Sequence, residues 1–264
     1  MLIAQITDMH ITASGDRGPG GAPVAANLAR MVAHLNALPR RPDVVLGTGD
    51  LVEDGSPAAN ARLRALLEPL EAPVYLIPGN HDDRETLRAA FPDHSWLSGD
   101  ELFVHYVIED WPIRLIALDT LVPGQLHGLL CEDRLAWLDE RLAAAPDRPT
   151  VLFMHHPPFA TGMDYMDSMA CRGADALGAI VRRNPQIERI LCGHVHRPVD
   201  IRWNGTVVSI APSTAIQLEL VFGPTESAVW VDDPIACRLF WWRPGTGLVG
   251  HTSLVEPAGS PAIA

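Results

Sequence analysis

Five short apolar runs, each followed closely by side chains able to bind a metal, constrain this chain more than any other feature of it. Leu2–Ile6 leads to Asp8 and His10, residues 43–46 to Asp50, Val74–Ile77 to Asn80, residues 150–153 to His155, and residues 187–191 to His194 and His196. Short runs rich in β-branched residues and bounded by Gly and Pro predict buried strands. The segments of helical period between several of them predict an α/β arrangement. In such sheets ligands collect beyond the carboxyl ends of the strands, so five strand ends direct polar side chains at one rim. Residues two apart on a strand share a face, which would let Asp8 act with His10 and His194 with His196. Gly49, Gly79 and Gly193 precede Asp50, Asn80 and His194 and would let the backbone turn sharply there.

Each piece has a plainer reading on its own. Asp8-x-His10 is a common spacing. Gly79-Asn80-His81-Asp82 reads as a turn in which Asp82 or Asp83 caps a helix running to Ala90, and His194 with His196 reads as two satisfied histidines at a strand edge. Their occurrence in order, each at the end of its own strand, points instead to one shared site. Seven donors, Asp8, His10, Asp50, Asn80, His155, His194 and His196, suit a two-metal hydrolase. A mixture of imidazole, carboxylate and amide favours Mn, Fe, Co or Zn over Mg or Ca.

The series Asp8-x-His10, Gly49-Asp50, Gly79-Asn80-His81-Asp82, His155 and Gly193-His194-Val195-His196 resembles the pattern of the calcineurin-like metallophosphoesterases. Residues 76–83, 153–158 and 192–196 resemble most the bacterial branch that holds class III cyclic nucleotide phosphodiesterases and glycerophosphodiesterases. The likeness spans about the first 215 residues and is expected to fade after Thr214. It implies a four-layer αββα sandwich of two mixed β-sheets flanked by helices, with the metal site at the strand ends. It further implies a phosphoric diester hydrolase with two divalent ions. Asp8, His10, Asp50 and His196 would hold one, Asp50, Asn80, His155 and His194 the other, and Asp50 would bridge them. A hydroxide shared by ions roughly 3.5 to 4 Å apart would attack phosphorus. Asn80, His81 and His196 would touch the substrate, and His81 would contact the phosphoryl oxygen or protonate the leaving alkoxide, a role worth about 10² to 10⁴ in rate. His156 would face away from the ions, in support of the ligands or simply packed. The implied substrates are cyclic nucleotides or glycerophosphodiesters, with phosphomonoester or nucleic acid hydrolysis on the same metals as the alternative. The glycerophosphodiesterase relatives place a further histidine where this chain has Ile216, and the stretch from Pro212 to Gln217 looks more like the cyclic nucleotide members.

Charge limits the partners. With 20 basic residues, all arginine, against 32 acidic ones, the net charge is −12, which repels phosphate at long range and leaves no basic stripe for a nucleic acid polymer. Two divalent ions set against Asp8, Asp50 and a hydroxide leave the pocket about one unit positive, so a small anionic diester is still attracted at close range. A hydrophobic content of 47% without a linker-like stretch predicts a single domain over 1–264, with 215–264 a divergent, strand-rich extension. No run of 18 apolar residues predicts a membrane span, and Met1 opens a strand instead of a signal peptide. Four scattered cysteines predict a reduced, cytoplasmic protein.

Helices are predicted at 25–38, at 56–67 with Ser56 as cap and Pro57 at the first helical position, and at 131–144. The glycine-rich loop 12–23 is either a flap over the substrate or a plain connection. Residues 159–172, with Met163, Tyr165 and Met166, are expected to wall the pocket. His127, in 124–128, is a candidate substrate contact, and Asp119 is expected to orient a ligand or cap a turn. Two strands are expected in the tail, at 227–231 and 236–242. Trp241 and Trp242 face opposite sides of the second, one toward the core and one toward another subunit, which predicts a dimer or a multiple of dimers. Residues 250–264 are expected to fray.

Overall fold

The five predicted strands form and divide between two mixed sheets, as the resemblance implied. A computed structural model describes residues 1–15 and 17–255. In chain order its elements are β1 (Leu2–Ile6), α1 (Val24–Ala37), β2 (Val44–Thr48), α2 (Pro57–Leu67), β3 (Val74–Ile77), α3 (Arg84–Ala90), β4 (Tyr106–Ile108), β5 (Arg114–Leu118), α4 (Glu132–Ala143), β6 (Thr150–Met154), α5 (Asp164–Asp167), α6 (Ala174–Arg183), β7 (Ile187–Cys192), β8 (Val199–Trp203), β9 (Thr206–Ile210), β10 (Gln217–Leu218), β11 (Trp230–Val231), β12 (Ala236–Arg243) and β13 (Gly247–Leu254). One sheet has the order β13-β12-β1-β2-β3 and the other β4-β5-β6-β7-β9-β8, while β10 and β11 make a small separate ribbon. Both large sheets are mixed. β1, β2 and β3 run parallel with β12 antiparallel to β1, and β5, β6, β7 and β9 run parallel with β4 and β8 antiparallel at the two edges.

Side-chain alternation explains the four layers. Along β6, Val151 and Phe153 join the core made by the first sheet with α1, α2 and α3, whereas Leu152 and Met154 join a second core with α4 and α6. A strand buried on both faces must place one face against the partner sheet and the other against helices, as the αββα arrangement requires.

The three predicted helices form as α1, α2 and α4, within one residue of the expected ends. Ser56 Oγ accepts from Ala59 N at 3.2 Å with Pro57 beside it. Of the two candidate caps of α3, Asp83 does the work, accepting from Thr86 N at 2.9 Å. Asp82 is instead buried, and its carboxylate accepts from Leu51 N, Val52 N and Gly79 N at 3.1, 3.0 and 2.8 Å. It thereby ties together the loops that follow β2 and β3.

The tail departs from expectation. The strand expected at 227–231 shrinks to β11, and residues expected to fray form β13, paired along the whole of β12; residues 256–264 lie outside the described residues. A segment with two glycines and little alternation carries almost no strand signal of its own, and the neighbouring ladder supplies the structure. β12 in turn pairs directly with β1, matching Leu2 with Trp241. Trp242 is buried, whereas Trp241 is 41% exposed. Among the described residues no helix is long and apolar enough to cross a membrane.

Candidate metal centre

All seven predicted donors converge where the two sheets present the carboxyl ends of their parallel strands. Asp8, His10, Asp50 and Asn80 follow β1, β2 and β3, while His155, His194 and His196 follow β6 and β7. The expected strand pairing of Asp8 with His10 is corrected in its mechanism, because β1 stops at Ile6 and β7 at Cys192. Asp8, His10, Asp50, His194 and His196 all adopt left-handed backbone, with φ of 51°, 47°, 46°, 72° and 53°. Asn204 is the only other non-glycine residue in that region among those described. Such conformations cost on the order of 1–3 kcal/mol each. Surrounding hydrogen bonds hold them, among them Asp8 N to Gly49 O and His10 N to Asp50 O, both 3.0 Å. Of the three glycines expected to turn the chain, only Gly49 has positive φ, at 92°. Gly79 and Gly193 serve close approach instead: a Cβ there would overlap Asp50 Oδ1 and Thr7 Oγ1 respectively.

The nitrogen tautomers decide what the site can hold. His10 Nδ1 lies 2.6 Å from Glu53 Oε2, and His196 Nδ1 lies 2.7 Å from the Ile216 carbonyl. Both nitrogens therefore act as donors, which in the neutral rings leaves a lone pair on each Nε2, and the two Nε2 atoms face each other at 3.1 Å. His155 repeats the logic, with Nδ1 2.8 Å from Thr48 O and Nε2 3.2 Å from Asp50 Oδ2. Among the described residues, Asn80 Oδ1 and His194 Nε2 are buried without a hydrogen-bond partner. Asp50 Oδ2 also lies 3.9 Å from His10 Nε2, and Asp8 Oδ1 lies 3.4 Å from His196 Nε2. Two groups of carboxylate, imidazole and amide atoms, linked through one oxygen of Asp50, thus point inward at one another. That donor set fits two cations. Burial works against charge on His155, yet Asp50 and Asp8 raise its pKa to about 9. Burial and the neighbouring His155 push His194 down to about 3. Asp50 is held well below the usual carboxylate range, since His155, His81 and His10 outweigh its desolvation.

His81 stands beside the groups without joining their inner atoms. Its backbone N donates to Asp50 Oδ1 at 2.9 Å, and its Nδ1 bonds the Glu53 carbonyl at 2.9 Å. Glu53, absent from the sequence reading, therefore orients both His10 and His81; its only signal there was an acid three residues after Asp50. His156 lies closer to the centre than expected, its ring 4.6 Å from that of His194. Both of its nitrogens are engaged, with Thr120 Oγ1 at 2.8 Å and Leu126 O at 3.2 Å, so no lone pair remains for a cation. Asp119 receives Arg84 at 2.6 and 2.9 Å and caps its own turn through Leu121 N at 2.8 Å.

A cavity of about 170 Å³ opens over the donors. Tyr165 and Met166 wall it as expected, whereas Met163 does not, and Leu126 lines it in place of His127. Pro19, from the glycine-rich loop, also lines it. Trp230, inside the strand expected at 227–231, and Leu218 were not expected at the cavity, because the sequence does not show that β11 pairs with β10 beside the donors. A larger cavity of about 610 Å³ shares Trp230 but contains none of the seven donors.

Residues 1–198 match a family model described as calcineurin-like phosphoesterase. The chain is 34% identical over 262 residues to a protein of Arcobacter nitrofigilis named "Probable glycerophosphodiester phosphodiesterase", covering 99% of this chain and 96% of that one. That alignment continues past the point where the likeness was expected to fade. Over 217 residues it is 33% identical to the 3',5'-cyclic adenosine monophosphate phosphodiesterase of Escherichia coli K12, covering 82% and 77% of the two chains. Among solved structures, a dimetal phosphatase from Danio rerio shares the fold, with a TM-score of 0.68 at 17% identity and coverage of 97% and 99%.

Proposed function

The chain belongs to the calcineurin-like phosphoesterase family, and on that basis we propose that it is a dinuclear-metal phosphodiesterase acting on small phosphodiesters, cyclic nucleotides or glycerophosphodiesters. One observation carries the reading: with each Nδ1 engaged elsewhere, the Nε2 atoms of His10 and His196 face each other at 3.1 Å beside the Asp8 and Asp50 carboxylates, a contact that a shared cation relieves. Asp8, His10, Asp50 and His196 would hold one divalent ion, and Asp50, Asn80, His155 and His194 the other, with Mn, Fe, Co or Zn favoured by the donors. Two such ions, once bound, acidify a water and draw charge from the phosphoryl oxygens.

The chain's own residues do the rest. Asp50 keeps Oδ2 toward both groups because its Oδ1 is occupied by His81 N. The Glu53 carboxylate fixes the His10 ring, and its carbonyl fixes His81 with Nε2 free for a substrate. Burial opposes a proton on His81 while Asp50 and Glu53 raise its pKa in the metal-free chain, and its place in the cavity wall makes Nε2 the candidate donor to the leaving alkoxide. Asn80, His81 and His196 flank the diester.

A cavity of about 170 Å³, below the roughly 300–1,000 Å³ of typical ligand sites, and a net charge of −12 favour a small substrate over a nucleic acid polymer. Four free cysteines suit the cytoplasm. The exposed Trp241 and the uncharged edge strand β13 favour a dimer or a multiple of dimers. The test is metal analysis coupled to assays on bis- and mono-nitrophenyl phosphate. Two ions per chain and a preference for the diester are expected; a single ion, or preference for the monoester, overturns the reading.

A further inference from the structure

We infer that Trp230, with the apolar side chains that share its cavity, forms the subsite for the organic substituent of the substrate, and that this subsite favours a planar aromatic group, a nucleobase or aryl ring, over glycerol or an amino alcohol. The inference rests on the phosphodiesterase reading and narrows its substrate.

Trp230 begins where the donors end. Its ring centroid lies 5.3 Å from that of His196, with the planes at 57°, and the residue is 37% exposed. It is also registered to the donors through a short chain of bonds. β11 pairs with β10, setting Trp230 opposite Leu218 and Val231 opposite Gln217. The Gln217 amide bonds both backbone groups of Ser213, at 3.1 and 2.7 Å, and Ser213 Oγ donates to Asp8 O at 2.8 Å. Ile216 O, one residue before Gln217, is the acceptor for His196 Nδ1. The indole is thus positioned from the same backbone that positions two donors, as a binding wall requires.

The rest of the wall comes from the loop after β6, through Tyr165, Met166 and Met169. Gly223 N donates to Gly162 O at 3.0 Å, and Met163 bridges Gly223, so this loop is joined to the chain segment between β10 and β11. Among the described residues no arginine lines the cavity, and its charged groups are those of the donor cluster together with Glu53 and His81. A glycerol or ethanolamine substituent would meet mostly carbon and sulfur from Leu126, Met166, Met169, Leu218 and Ala228, with the Tyr165 hydroxyl and the Trp230 N–H the polar atoms on that wall, and would lose hydrogen bonds to water there. A flat ring loses none on its faces, stacks on the indole and meets polarisable thioethers.

The test compares the metal-replete wild type with Trp230→Ala, Trp230→Leu and Trp230→Phe on 3',5'-cyclic AMP and glycerophosphoethanolamine. In Trp230→Ala the ratio of kcat/KM for the nucleotide over the glycerol diester should fall on the order of tenfold to a hundredfold, mainly through KM. Trp230→Phe should keep most of the ratio. Competitive inhibition by AMP should weaken by a similar factor while inhibition by inorganic phosphate holds. If the alanine variant fails to retain its ions, Trp230→Leu, which keeps apolar bulk and removes the aromatic face, gives the same readout. An unchanged ratio overturns the inference, as does a larger loss on glycerophosphoethanolamine, which would mark Trp230 as a cradle for ammonium. A wild type that hydrolyses neither diester overturns the phosphodiesterase reading itself; one that hydrolyses both with an unmoved ratio overturns only the subsite.

Discussion

Replacing His81 by alanine removes a proton donor while leaving every inward-facing acceptor in place. Two ions should be retained, and turnover of a diester with a poor leaving group should fall by about 10² to 10⁴, with a smaller loss on a nitrophenyl diester; equal losses on both would place His81 outside proton transfer. His155 makes a pH-dependent case. Its folded pKa of about 9 lies above its ordinary value of 6.5, so its stabilisation of the metal-free fold is complete below about 6.5 and lost as pH climbs through 9. A metal must displace that proton, so binding should release protons and the gain in Tm on metal addition should grow from pH 6.5 to 9. Calorimetry in buffers of different ionisation enthalpy measures this, and proton uptake would exclude it. At this scale the convergence of the seven side chains was legible because ligand chemistry permits few residue types. Glu53 and the engagement of His156 were not, since both depend on which atom of a ring faces which neighbour. The i, i+2 argument placed Asp8 beside His10 for a wrong reason: the chain leaves the strand before it reaches them.

Adjacent tryptophans in β12 allow an element-scale comparison. Trp242→Ala should cost roughly 3–5 kcal/mol in chemical denaturation, because a large buried ring leaves a cavity. Trp241→Ala should leave chain stability within about 0.5 kcal/mol and instead weaken self-association in sedimentation; no change in association would remove Trp241 from the interface. Since β12 covers the edge of β1, we propose that the tail belongs to the same folding unit as the donors. A chain ending before β12 should then lose metal binding along with cooperative unfolding. Helix ends were legible to within one residue where a cap and a proline coincide, as at Ser56 and Pro57. The hairpin of β8 and β9 carries a clear signal in Asn204-Gly205, both at positive φ, yet it was passed over because no donor follows it. β13 carried no comparable signal, since its order comes from its neighbour.

Net charge acts on the molecule as a whole. A formal charge of −12 repels an anionic diester until it comes close, and raising ionic strength from 0.01 to 0.15 M shortens the screening length from about 30 to about 8 Å. The kcat/KM for such a diester should therefore rise over that range, and a fall would mean that local attraction reaches further than the repulsion. Composition made this legible without any structure, whereas the division of the strands between two sheets came only with the family resemblance, because strand periodicity does not say which partner a buried face meets. The left-handed backbone at five of the donors reaches beyond chemistry. Asparagine or glycine would relax there and would ease the crowding of unshared electron pairs, so single losses such as His10→Asn should leave a chelator-treated protein harder to melt than its parent. A lineage released from hydrolysis could shed the inherited ligands one at a time and gain robustness with each, which makes an inert descendant of this architecture an easy evolutionary destination.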